Sequence, residues 1–205
     1  MSSASSLNFN SLHVDQIGSL LRPAKLKEAF AKCAGGEIGE DELHKIQDEA
    51  IRELVAKQEA HNMAVVTDGE FRRTNFMESF SVVAGVEEWQ SGVKTYHNVL
   101  ARKETDQSDT KKAQDPILLN RKRVTERLKL VRNHVLDEYR FAQALTSRIV
   151  KPTLISADRI TQCFDSENSR SIYPAVDEFM RDVVSVERQM ISELSEAGCR
   201  YIGID

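Results

Sequence analysis

The chain has 205 residues, 40% of them hydrophobic and 29% charged, which suffices for one domain with a sizeable core or for part of a larger one. A formal net charge of -4 gives no electrostatic reason to expect nucleic acid or an anionic membrane as partner. No apolar run approaches the roughly 18 residues that a bilayer span requires.

The first residues, MSSASSLNFNS, are Ser-rich and lack the basic and apolar regions of a secretory signal, so residues 1–10 read as a disordered terminus. The segment 11–23, SLHVDQIGSLLRP, predicts a strand up to Gly18 and a helix opening at Pro23. That helix places Leu26, Ala29, Phe30 and Cys33 on one face and stops at Gly35-Gly36. A second helix, about 40–61, repeats the pattern with Leu43, Ile46, Ala50 and Leu54, and Asn62 is its stop. AVVTD follows as a short apolar strand. Residues 76–100 predict an excursion of short strands, and 101–116 a solvated polar loop without periodicity. RVTERLKLV (123–131) fits a strand or a helix almost equally. A helix over 134–147, a strand over 149–156 interrupted by Pro152, a long helix over 174–197 and a last strand, YIGID (201–205), complete the order. In the long helix Val176, Phe179, Met180, Val183, Met190, Ile191 and Leu194 are expected to face the core.

Strands separated by helices imply parallel pairing, because a parallel return needs a crossover. A doubly wound sheet and a (β/α)8 barrel both fit this order, and no GxGxxG or GxxxxGK loop follows the first strand to favour a nucleotide site. In either architecture the C-terminal ends of the strands share one face, where ligands bind. Gly18-Ser19, Asp68-Gly69-Glu70, Ser156-Ala157-Asp158-Arg159 and Asp205 all fall at such ends. Together they offer acceptors for an ammonium and a hydroxyl for a carboxylate, as an amino acid would need. Capping of the next helix is an equally good account of Asp158. Arg72 and Arg73 read as solvated or salt-bridged groups at the rim. Cys33, Cys163 and Cys199 are widely spaced, odd in number and outside any CxxC or HxC pair. They read as reduced, largely buried thiols of a cytoplasmic protein, with no zinc signature.

Three stretches, HVDQIGSLLRP, VVTDGEFRRTNF and the closing EAGCRYIGID, together resemble the cobalamin-independent methionine synthase family, most closely its shorter single-barrel members. The resemblance spans about residues 12–205 and implies a (β/α)8 barrel of the methionine synthase and uroporphyrinogen decarboxylase-like type, with about its first five βα units in this chain. It implies transfer of a methyl group from a folate to the thiol of homocysteine, bound to zinc as a thiolate. By position, it implies that Ile17, Gly18 and Ser19 hold the homocysteine carboxylate, and that Glu70 and Asp205 bind its ammonium. Two carboxylates around one ammonium would fix its orientation and leave the thiol free for the metal.

The chain also departs from the family pattern. The His-x-Cys pair, the Glu and the distant Cys that ligate zinc lie on later strands and have no counterpart here. The His-Phe-Arg-Gly-like stretch of short members is replaced by TQCFDSENSR, and Gly203 stands where a Gln or similar polar residue is common. Two functions follow as expectations. One is the amino-acid recognition half of a methyltransferase, without metal ligands of its own. The other is a remnant without turnover that acts as a binding or interaction protein. Five strands of eight would leave two open edges, so the expectation is either the N-terminal part of a longer protein or a truncated product, which would have to open into another sheet, self-associate or bind a partner that supplies the missing strands.

Overall fold

The computed structural model describes residues 15–74, 76–80, 83–86 and 122–205. The proposed disordered terminus (1–10), the polar loop (101–116) and most of the excursion lie outside the described residues.

The first two helices form one layer. α1 (Ala24–Ala34) starts after Pro23, whose fixed φ suits the entry to a helix, and buries Leu26, Ala29 and Phe30. α2 (Glu40–Ala60) opens on Glu40, Asp41 and Glu42, which complement the positive end of its dipole, and buries Leu43, Ala50, Ile51 and Val55. These faces pack together with Phe71 as a separate apolar cluster. Asn62, with φ 55°, ends α2 and lets the chain turn into β1 (Val65–Val66).

A short 3-10 segment (Phe76–Phe80) leads to β2 (Val83–Val86), which pairs antiparallel with β3 (Val124–Leu130). The ambiguous stretch 123–131 is therefore a strand, but one in a hairpin and not in the parallel ladder. Its register slips between Ala84 and Val86, at Gly85, where φ is 101° and a Cβ would lie 2.7 Å from the Glu126 carbonyl oxygen. α3 (His134–Gln143) is capped by Asn133, whose side-chain oxygen accepts from the Leu136 amide at 3.2 Å.

β4 (Ile149–Val150) and β5 (Thr153–Leu154) are two halves of one strand divided at Pro152. The first half pairs parallel with β1, and the second half pairs parallel with β6 (Gly203–Ile204). Proline has no N–H to donate, yet its carbonyl accepts from the Gly203 amide at 3.0 Å, so the ladder changes sides there. β1, β4–β5 and β6 thus form a parallel run with their C-terminal ends on one face. The count of five βα units is not what the described residues show, since 15–20 is irregular and β3 belongs to the hairpin. Residues 15–20 are fastened by other bonds. Gln16 Nε2 donates to the Val65 carbonyl at 3.0 Å, and Lys151 Nζ donates to Asp15 and to the Gln16 carbonyl.

α4 (Ala157–Gln162) and the long α5 (Val176–Glu196) pack in one core with the strands. The main core gathers Phe179, Val183, Val186, Met190 and Leu194 of α5 with Val66, Val150 and Leu154 of the strands and Val135, Tyr139 and Ala142 of α3. Phe179 stacks on Phe164 with ring centroids 4.3 Å apart and meets Tyr173 edge-on. Two expected core positions of α5 are corrected: Val176 and Met180 lie on its exposed side, with Val184. Among the described residues no helix is long and apolar enough to cross a membrane.

Candidate functional site

The turn after β1 is built by hydrogen bonds on all sides. Gln58 of α2 brackets Thr67, donating to its carbonyl at 2.7 Å and accepting from its amide at 3.0 Å. The Thr67 hydroxyl accepts from the Gly69 amide, and Asp68 Oδ1 accepts from the Glu70 amide at 3.0 Å. Gly69 and Glu70 are both left-handed, with φ 71° and 56°. Glycine adopts this conformation freely, whereas a glutamate there costs on the order of 1 kcal/mol or more. The first motif holds the turn in that shape. The Leu20 amide donates to the Gly69 carbonyl at 3.1 Å, and Arg22 Nη2 donates to the Glu70 carbonyl at 3.0 Å. Arg22 Nε donates to the Arg73 carbonyl at 3.1 Å.

The strained residue presents a buried carboxylate. Glu70 is 4% exposed; its Oε1 accepts from the Thr153 hydroxyl at 2.5 Å, and its buried Oε2 has no hydrogen-bond partner among the described residues. Asp68 Oδ2 is buried and unpartnered in the same way. An unsatisfied buried carboxylate oxygen is costly in a folded protein and calls for a ligand, a water or a proton.

Arg73 is not at a rim, as the sequence suggested. It is 2% exposed and binds Glu138 of α3 through Nε and Nη2, the latter at 2.5 Å. It also donates to the Thr153 hydroxyl and carbonyl, at 3.3 and 3.0 Å, and comes within 3.9 Å of Glu70 Oε1. Burial opposes both charges of the Arg73–Glu138 pair, but their mutual attraction outweighs it, raising the pKa of Arg73 and lowering that of Glu138. Arg72 points elsewhere, pairing with Asp48 and lying over the Phe141 ring. Burial, helped by the negative charge of Glu138, pushes Asp68 up to about 6. Burial lowers the pKa of His134, so this neighbour adds no compensating charge near neutrality. Asp68, Glu70 and Glu138 therefore face Arg73 with a surplus of negative charge in a water-poor place, which favours a bound cation.

The other expected site residues arrive around this carboxylate by different routes. Gly18 is buried against it: a Cβ there would lie 2.9 Å from Glu70 Oε1 and 2.4 Å from Thr153 Cγ2. Ile17 is 72% exposed and Ser19 is exposed, both on the open side of the same segment. Asp205 is exposed just past β6; its amide donates to the Leu154 carbonyl and its carbonyl accepts from the Ser156 amide. β5 thus stands between Glu70 and Asp205. Asp158 lies in the first turn of α4, where it accepts from the Ser156 hydroxyl at 2.5 Å.

Thr153, Glu138 and Arg22 were not singled out from the sequence. Arg22 lay inside a recognisable motif; Thr153 and Glu138 meet Glu70 and Arg73 across 83 and 65 residues of chain.

No group of three His, Cys, Asp or Glu among the described residues is placed to hold a metal. Cys163 and Cys199 are buried thiols whose pKa burial raises, the opposite of what a metal thiolate needs. The described residues do not fit the zinc site that the resemblance implies.

No protein-family model matches the sequence. An uncharacterised Bacillus subtilis protein, YxjH, is 29% identical over 197 residues, which cover 93% of this chain and 47% of that protein. A methionine synthase of Sulfurisphaera tokodaii is 24% identical over 190 residues, covering 92% of this chain and 50% of the enzyme. The chain is similar in sequence to methionine synthases. It spans about half the length of the curated relatives it matches. A crystal structure from Listeria monocytogenes, described as a vitamin-B12-independent methionine synthase-like protein, superposes with a TM-score of 0.70 at 23% identity. The match covers 93% of this chain and 50% of that one, so the α/β fold is that of part of a methionine synthase-like structure.

Proposed function

We propose that this chain is the amino-acid recognition half of a methionine synthase-type methyltransferase with a (β/α)8 barrel. It would hold a thiol amino acid such as homocysteine. The observation that carries this reading is the buried Oε2 of Glu70 at the C-terminal end of a parallel strand, unpartnered among the described residues and inside a surplus of carboxylates. An ammonium there gains a charge-assisted hydrogen bond and relieves an unsatisfied oxygen at once. Ile17, Gly18 and Ser19 would receive the carboxylate on the exposed side, and Asp205 would be the second acceptor for the ammonium. A methyl-folate would be the donor, as the sequence resemblance implies. Because the described residues form no metal site, no step of the reaction is assigned to zinc in this chain.

The second reading is a binding protein without turnover. It shares the recognition site, so one experiment tests what the two have in common. In titration calorimetry, L-homocysteine should bind at least about tenfold more tightly than 4-mercaptobutanoate, which lacks only the amino group. Glu70→Gln should remove that preference. Equal affinity for the two compounds in the unmodified protein would overturn the proposal.

A further inference from the structure

The three sequence motifs converge on a residue that belongs to none of them. Thr153 lies on β5, paired with Gly203 of β6. Its hydroxyl donates to Glu70 Oε1 at 2.5 Å and accepts from Arg73 Nη1 at 3.3 Å. Arg73 Nη2 also holds the Thr153 backbone carbonyl, at 3.0 Å, and the guanidinium is itself held by Glu138. A guanidinium can only donate, so the single hydroxyl proton of Thr153 is committed to the carboxylate.

The methyl group of Thr153 is wedged between two glycines. A Cβ at Gly18 would lie 2.4 Å from Cγ2, and one at Gly203 would lie 3.2 Å from it. A β-branched side chain has few χ1 choices, and with its methyl held between these backbones its hydroxyl is fixed toward Glu70. Gly203, where the family resemblance leads one to expect a polar side chain, leaves that space open. A Cβ there would also come within 3.0 Å of Lys151 Cε.

We propose that Thr153 is the positioning residue of the ammonium site. It ties down Glu70 Oε1, which fixes the carboxylate plane and leaves Oε2 as the one oxygen offered to a ligand. Arg73 and Glu138 orient Thr153 from behind, while Gly18 and Gly203 set its rotamer. The inference rests on the reading of Glu70 as the ammonium acceptor. It adds a specificity consequence: a site with one free, fixed carboxylate oxygen selects a primary ammonium group over a neutral analogue of the same shape.

The test uses Thr153→Val, which keeps the methyl wedge and removes the hydroxyl, and Thr153→Ser, which keeps the hydroxyl. Two readouts are followed: the preference for L-homocysteine over 4-mercaptobutanoate by calorimetry, and the side-chain carboxyl 13C resonance of Glu70, assigned through Glu70→Gln. In Thr153→Val the preference should fall by about tenfold, with affinity for 4-mercaptobutanoate unchanged, and the Glu70 resonance should move. Thr153→Ser should restore both. A Thr153→Val protein with the native preference and an unmoved Glu70 resonance would overturn the proposal.

If the unmodified protein shows no preference between the two compounds, the functional reading fails, and the Glu70 resonance alone still decides whether Thr153 positions the carboxylate. Should Thr153→Val not fold, the unmodified protein supplies the measurement. Its Thr153 hydroxyl proton should be slow to exchange with solvent and should show through-bond coupling to the Glu70 carboxyl carbon. A rapidly exchanging hydroxyl would contradict the inference.

Discussion

Glu70 combines a left-handed backbone with a buried carboxylate, two unfavourable features that the neighbouring bonds must offset. Asp68 shows the electrostatic side of the same cost. Its carboxyl sits at about 6 in the folded chain against an ordinary 3.8, so the folded state holds a proton that the unfolded chain has lost between those values. The stability associated with that proton is fully present below about pH 4 and is lost as pH rises through 6. Asp68→Asn, which keeps an acceptor for the Glu70 amide, should therefore stabilise the protein by about 3 kcal/mol at pH 7–8. The gain should shrink toward zero near pH 4. Urea unfolding of both proteins across this range checks the sign, and a variant less stable at pH 8 would contradict it. At this scale Gly18 and Glu70 were legible because their motifs are local. Thr153 and Glu138 were not, because a threonine beside a proline and a glutamate in an ordinary helix carry no local signature. Only the fold brings them to Glu70.

Among the elements, helices were the most readable. The 3.6-residue period of α2 and α5 gives their extent to within a residue or two, and Asn62 and Gly198 stand where the chain turns. The inner face of α5 was less legible, since Val176 and Met180 fit the same stripe as Phe179 yet lie outside it. Phe179→Ala should cost about 3–5 kcal/mol, because it removes the ring packed on Phe164 and Tyr173. Met180→Gln should change stability by less than about 0.5 kcal/mol. Chemical denaturation of the pair measures both, and similar losses would show that the helix face is misassigned. Strands were harder to read. β3 alternates weakly and exposes Thr125, Glu126, Arg127 and Lys129, so its hydrophobic pattern could not tell a hairpin strand from a helix. β4 and β5 are short because Pro152 interrupts the ladder, a break visible in the sequence whose consequence, a change of pairing partner, needed the neighbouring strands.

For the whole molecule, parallel α/β architecture was readable from element order, while the number of strands was not. The hairpin of β2 and β3 consumes a segment that periodicity alone would have counted into the barrel. At the far side of the run, Ile204 is 59% exposed, and among the described residues β6 pairs only with β5. Under the proposed reading this edge accepts another strand, and a second copy can supply one. Light scattering after size-exclusion chromatography should then show a mass that grows with concentration above the 23.2 kDa of one chain. A constant mass of one chain at all concentrations would contradict self-association.

The central claim is that Glu70 Oε2 is where a ligand's ammonium binds. A crystal structure of the chain grown with L-homocysteine tests it most directly. The account predicts the amino nitrogen about 2.7–3.2 Å from Glu70 Oε2, with Thr153 still bonded to Oε1. A ligand bound elsewhere, or one whose ammonium faces solvent while Oε2 stays unpartnered, would contradict it.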